Sequence, residues 1–414
     1  MSLNIKAWTV WSIAALFVLY QFLLQTSTSV MVPHLMRDFS INAVYVGLLS
    51  SSFFYTYILL QIPSGLLVDR IGAKLVLSLS LAICGIASFL FAFSHSFAMA
   101  ECSRLIMGLA TAPAVVCTLY LASNWFPARF FALLAGLTEM LGMLGGAIGE
   151  QLLARSVQHI GWRSTLIACG FIGVSLALVT WLIVRDRPVN APKPYISLKQ
   201  SNTSLWSQSL QIVGLPQAWL NGLFAGLVFV LIQAFASLWA VPYFMQRFSI
   251  GLNTAAGLSA MVFFGTALGA PLAGWYSERV RQRRNVMLCG ASGALFAIML
   301  ILYGPLTSIA SMFVWLFILG FFCGSYVIPF AVVRDITPAP IRGTAMGYVN
   351  MMCIALGAPL VQPLIGWVLH RSDHSNDITN TIFSISSYQT AFITLPICLT
   401  LALLITFFIR EPNR

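Results

Sequence analysis

Apolar and polar positions along this chain come in long blocks rather than in the short periods of a soluble fold. A helix crossing the hydrocarbon of a bilayer needs about 20 mostly apolar residues. Runs of that kind recur at 11–34, 44–68, 74–94, 97–121, 130–154 and 164–184. They return at 217–243, 252–276, 285–304, 308–333, 343–369 and 386–409. The spacing predicts an all-α membrane protein with twelve transmembrane helices in two sets of six. The longest polar interruption among the inner segments, 185–216, holds Arg185, Asp186, Arg187, Pro188 and Lys193 and reads as a linker. It divides the chain into a bundle at 1–184, a linker at 185–216 and a second bundle at 217–414. The end of the linker, from Leu205 to Val213, suggests a short helix on the membrane surface.

Composition narrows the class. Of 414 residues, 59% are hydrophobic and only 8% charged, which excludes a soluble enzyme, a disordered chain and a disulfide-stapled secreted domain. A net charge of +11 would point to nucleic acid in a soluble protein. Here Lys and Arg mark sides of the membrane. Arg37, Arg155, Arg163, Arg247 and Arg371 fall on one side and Arg104 falls within a span. The remaining basic residues share the side of both termini, which is therefore expected to be cytoplasmic, with no nucleic-acid partner. The apolar run at the N-terminus extends well past the core of a cleaved signal peptide. The eight cysteines all lie inside predicted spans without a CxxC pair, so they read as buried helix residues.

The two sets of six match each other. Phe17-Val-Leu-Tyr-Gln21 corresponds to Phe229-Val-Leu-Ile-Gln233. Pro33, Met36, Phe39, Ser40 and Ile41 recur as Pro242, Met245, Phe248, Ser249 and Ile250, and Gly65, Asp69, Arg70 and Lys74 as Gly274, Glu278, Arg279 and Arg283. A repeat running in the same direction implies two six-helix bundles related by a pseudo-two-fold axis along the membrane normal, with a solute site between them at the midplane.

Between spans 2 and 3 the chain reads Gly65-Leu-Leu-Val-Asp69-Arg70-Ile-Gly72-Ala-Lys74. Gly65 allows close helix approach, Gly72 a tight turn, and Asp69 can pair with a basic group or a helix N-terminus. This resembles the cytoplasmic loop signature of the major facilitator superfamily, G-x-L-x-D-R-x-G-x-K. The resemblance assigns gating to Gly65, Asp69, Arg70, Gly72 and Lys74, and to Glu278 and Arg279 in the half-matched copy. Arg104-Leu-Ile-Met-Gly108 resembles the R-x-x-x-G motif of the family, and Gly161-Trp162-Arg163 its usual entry to span 6. Span 5, with Gly142, Gly145, Gly146 and Gly149, departs from the Gly-Pro kink common in drug–proton antiporters. Ser29-Val-Met-Val-Pro33-His34-Leu-Met-Arg37-Asp38-Phe39, with Gln61-Ile-Pro63, resembles proteobacterial carriers around the Pht-type intraphagosomal amino-acid transporters. The resemblance implies a multi-pass protein of the cytoplasmic (inner) membrane, functional as a monomer among lipid, with a cavity formed by spans 1, 4, 7 and 10.

Ionisable residues inside a membrane are costly and mark function. Glu101 and Arg104 lie one turn apart on span 4, and Glu139 and Glu150 lie on span 5. Glu139, near the midplane without an obvious basic neighbour, is the leading proton-coupling candidate, followed by Glu150 and Glu101. Arg104 would hold a substrate carboxylate, or a glutamate when the site is empty. A permanent ion pair or a hydrogen-bonded carboxyl joining two helices fits the same residues. Tyr20, Gln21, Gln25, Tyr55, Gln233, Trp239, Tyr326 and Asn350 offer neutral contacts suited to a small polar solute. A glutamine bridging helices suits Gln21 and Gln233 equally. No phosphate-binding loop or nucleophile–base arrangement occurs, and nothing calls for a metal or cofactor. The expected activity is therefore not enzymatic. It is proton-coupled import of a small polar solute, with amino acids first, then nucleosides or organic anions. A proton-driven efflux antiporter and a transporter-like solute sensor are the alternatives.

Overall fold

The computed structural model describes residues 5–127, 130–188, 214–305, 308–337, 342–372 and 383–411, and these residues are helical throughout, without strands. Backbone groups in hydrocarbon have no water to bind, so each apolar run closes its hydrogen bonds within a helix. The first half comprises α1 (Ile5–Thr26), α2 (Ala43–Ile71), α3 (Ala73–Ala92), α4 (Phe97–Trp125) and one continuous helical stretch, Phe131–Ile183. That stretch is interrupted at Gly161, whose φ of 79 is the left-handed region that favours glycine. Its two legs, α5 before Gly161 and α6 after it, both pack on α1. Gly149 lies against Leu23, while the Tyr20 hydroxyl donates to the Cys169 carbonyl at 2.8 Å. The chain thus folds back on itself there.

The second half comprises α7 (Pro216–Phe248), α8 (Leu252–Val280), α9 (Arg283–Tyr303), α10 (Ile309–Val333), α11 (Ala345–Ser372) and α12 (Ile385–Thr406). Twelve crossings result, in two six-helix bundles. Caps fall where the sequence places short polar side chains. Asn42 accepts from the Tyr45 amide, Ser96 from Met99 and Ser384 from Ser387. The repeat extends to backbone geometry: Ser40 and Ser249, matched positions, have φ values of 52 and 50 at the ends of corresponding short helices. One difference separates the halves. Leu231–Trp239 of α7 and Gly357–Val361 of α11 wind as π-helix, a departure frequent at functional sites. The residues 205–213, expected to form a surface helix, lie outside the described residues.

The halves meet at the end of the bundle opposite the termini. Gly47 of α2 sits against the backbone of Gln362 and Pro363 on α11, and Gly366 against Ala43. A Cβ on Gly47 would stand 2.9 Å from the Gln362 carbonyl oxygen, so only glycine permits this approach. Ser51 donates to the Ala358 carbonyl and to Gln362 Oε1, and Tyr55 to the Pro359 carbonyl at 3.2 Å. Between α5 and α8, Gln151 donates to the Asn253 carbonyl, and Asn253 to Gln158 Oε1 at 2.7 Å.

Candidate functional site

Residues four apart are neighbours on a helix, so Ala43, Gly47, Ser51 and Tyr55 run along the side of α2 that meets α11. The first three are sealed against α11. Tyr55 still donates to the Pro359 carbonyl but is 37% exposed. The same gradient runs along α5. Glu150 and Gly146 are buried, Gly146 lying against the Phe263 ring of α8, whereas Glu139 and Gly136 on the same face are exposed. The two stripes define a cleft that opens towards the termini and closes at the other end.

Glu139 stands inside that cleft. It lies within electrostatic reach of Tyr57 on α2 and of Tyr326 and Cys353 in the second half, so it faces both bundles. Gln21 and Gln61 adjoin Tyr57. Gln21 is fully buried, and neither its amide nitrogen nor its amide oxygen has a hydrogen-bond partner. Tyr326 packs its ring on Phe229 at 4.7 Å. Asn350 is half-buried on α11 and Gln25 is buried on α1.

Glu150 lies eleven residues along α5, about 16 Å from Glu139 at the helical rise. Its carboxyl is fully buried. One oxygen accepts from the Ser29 hydroxyl at 3.0 Å and the other has no partner; Ser259 of α8 faces it from the second half.

Arg104 occupies a different setting from the one its spacing suggests. It is fully buried, stacked over the Phe53 ring at 4.9 Å, and donates to the carbonyls of Leu24, Leu49 and Ser50. Among the described residues no carboxylate comes within 4.0 Å of it. Glu101, one turn away, accepts from the Ser52 hydroxyl at 3.1 Å instead. The guanidinium thus holds α1, α2 and α4 together. Tyr20 likewise joins α1 to α6. Gln233 and Trp239 join α7 to α11: Gln362 Nε2 donates to the Gln233 carbonyl at 2.6 Å, and the Trp239 indole to the Gln362 carbonyl at 3.2 Å.

At the terminal end Gly72 has φ 85, and Asp186 sits where a Cβ would be. Asp186 accepts from the Lys74 amide at 2.8 Å and caps α3. Lys74 extends over the Trp181 ring and Arg279 over Trp275. Gly65 and Arg70 lie on the last turns of α2 and Glu278 on α8; the Asp69 side chain lies outside the described residues. In the second half Glu411 accepts from the Arg284 amide at 3.0 Å, and Arg283 pairs with Asp335 at 2.8 Å. Sequence reasoning missed Asp186 and Glu411 because their partners are backbone amides. The signal available was an acidic residue just past the last helix of each half.

Comparison with known proteins agrees with this architecture. The sequence model of the Major Facilitator Superfamily matches residues 13–262 and 223–414. The chain is 25% identical over 380 residues to the membrane sensor protein UhpC of Escherichia coli, covering 88% of this chain and 84% of that one. It is 21% identical to the hexuronate transporter of Bacillus subtilis, covering 84% of each. A crystal structure of a bacterial homologue of the human lysosomal transporter Spinster, inward-facing and unoccupied, superposes with a TM-score of 0.80 at 17% identity. The match covers 98% of this chain and 97% of that one. The chain belongs to the major facilitator superfamily and is a multi-pass membrane transporter of that fold.

Proposed function

We propose that this chain imports a small polar organic solute together with protons, by rocking its two halves across the inner membrane with both termini in the cytoplasm. The observation that carries this reading is the α5 face, with Glu150 sealed between the halves and Glu139 open in the cleft. When the halves rock, the closed contacts at Gly47, Ser51, Gln151 and Asn253 separate, and Glu150 meets water on the opposite side. A carboxyl that alternates between seal and solvent can carry a proton across, while Glu139 remains with the solute. The Lys and Arg distribution supports the orientation, which makes the present cleft inward-facing.

Amino acids stay the first substrate class and nucleosides the second. The hexuronate relative brings sugar acids into the comparison. The Pht-type resemblance rests on the residues from Ser29 to Phe39 with Gln61 and Pro63.

The test is uptake into proteoliposomes of labelled amino acids, nucleosides and sugar acids under an inward proton gradient. Accumulation is expected. Glu150→Gln keeps solute counterflow but loses gradient-driven accumulation. Unchanged proton dependence in both Glu139→Gln and Glu150→Gln would sink the coupling. Export alone would make the chain an antiporter, and binding without counterflow a sensor.

A further inference from the structure

The cleft has a definite sign of charge. Among the described residues Arg104 is the one basic side chain placed away from the helix ends, and it is enclosed by three carbonyls and the Phe53 ring. What the open space does contain is a carboxylate, Glu139, with the phenol rings of Tyr57 and Tyr326 within its electrostatic reach. Behind Tyr57 the fully buried Gln21 amide adjoins the phenol hydroxyl, so the polar group that borders the open space is Glu139 itself.

We infer that the cleft recognises a solute carrying a protonated amine, with Glu139 as its counter-ion. Tyr57 and Tyr326, buried against Phe53 and Phe229, back the carboxylate and leave the solute cation to contact Glu139. A sugar acid at this depth brings its carboxylate to Glu139, and among the described residues no accessible cation stands there to offset it, so like charge disfavours it. The inference depends on the transporter reading only for the steps after binding. Glu139 then holds the solute while Glu150 handles the proton.

Gly136 offers a way to read the field directly. It lies one turn before Glu139 on the same face, and a Cβ built there meets nothing within 4 Å. In the full chain carrying Gly136→Cys, labelling of that cysteine is timed by mass spectrometry. The reagents are a trimethylammonium-bearing and a sulfonate-bearing methanethiosulfonate, each scaled to a free thiol. A cation preference of about tenfold, on the order of 1.4 kcal/mol, is expected, falling close to one when Glu139→Gln is added. L-lysine, glucosamine and ethanolamine are then compared as protectants with the amine-free acids glutarate, glucuronate and glycolate. Protection by at least one amine, abolished by Glu139→Gln, supports the inference. A preference for the anionic reagent, a ratio indifferent to Glu139, protection by the acids alone, or protection by none overturns it. An amine that protects but shows no counterflow leaves the recognition intact and removes the transport reading instead.

Discussion

The two halves descend from one pattern but use it differently. Gln21 and Gln233 occupy matched positions, yet Gln21 is buried with both amide atoms unpartnered while Gln233 is tied to α11. The π-helical turns of α7 and α11 account for the contrast, because they bring the Gln233 backbone to Gln362. The first half also holds the buried Arg104 and the α5 carboxyls Glu139 and Glu150, whereas the second half keeps its charges near the helix ends, as in Arg283 and Asp335. Among the described residues the acidic and basic side chains placed away from the helix ends belong to the first copy, and the π-helical turns to the second. Elsewhere the copies agree. Asp186 caps α3 and Glu411 caps α9, each by accepting the amide of a basic residue at the helix start.

The largest expected effect breaks the contrast at Arg104. Arg104→Met removes every donor to the Leu24, Leu49 and Ser50 carbonyls and should cost on the order of 3 kcal/mol in detergent unfolding. Arg104→Lys should recover little of it, because one ammonium cannot reproduce the guanidinium fork. If Arg104 served only the solute, stability would hold and uptake alone would fall.

Next comes the seal between the halves. Gly47→Val forces a side chain into the Gln362 backbone, so the closed end should open. Cysteine labelling at Gly136→Cys from the cytoplasmic side should slow in that background, while a separate Ser51→Cys variant should become labelled from the opposite side.

The glutamine pair gives a smaller effect and the sharpest comparison. Gln233→Ala should destabilise the fold by about 1 kcal/mol, through lost bonds to the α11 turn. Gln21→Ala should leave stability nearly unchanged and reduce uptake. The reverse assignment would dissolve the distinction between the halves.

The smallest effect lies outside the membrane, where matched positions carry opposite charges. Asp38 accepts from the Trp162 indole at 2.9 Å, while its counterpart Arg247 donates to the Tyr243 hydroxyl and the Ile301 carbonyl. Burial pushes the Asp38 carboxyl up, but the Trp162 and Arg37 hydrogen bonds and the Arg163 and Arg37 charges outweigh it and hold it below the usual range. A carboxyl depressed in the folded state contributes stability above its unfolded pKa and loses it as pH falls through the folded value. The contribution, under about 1 kcal/mol, should therefore be complete above about pH 4 and be lost progressively as the pH falls below it. Asp38→Asn should flatten that limb of the stability–pH curve.

The hydropathy blocks, the repeat and the loop between α2 and α3 make the fold legible in the sequence, because membrane helices follow from length and polarity alone. The site was legible in part. Glu139 was singled out by depth, and the cleft places it between the halves. Arg104 was misleading, since helical spacing points to Glu101 while a long side chain can reach the carbonyls of two other helices. No periodicity distinguishes Gln21 from Gln233, because the difference lies in a local winding of the backbone. Capping by Asp186 was equally hidden, its partner being an amide common to every residue.

Gly161 carries a consequence for how the first half can be handled and how it can evolve. The stretch from Phe131 to Ile183 reverses on a single left-handed residue with open space around it. A protease needs an extended segment of several residues and finds none at this bend, so limited digestion should leave the hairpin whole. An epitope inserted at Gly161 would have to unwind a helix to be displayed. The two legs form a hinge without slack, and any tilt imposed on α5 is delivered to α6 as well.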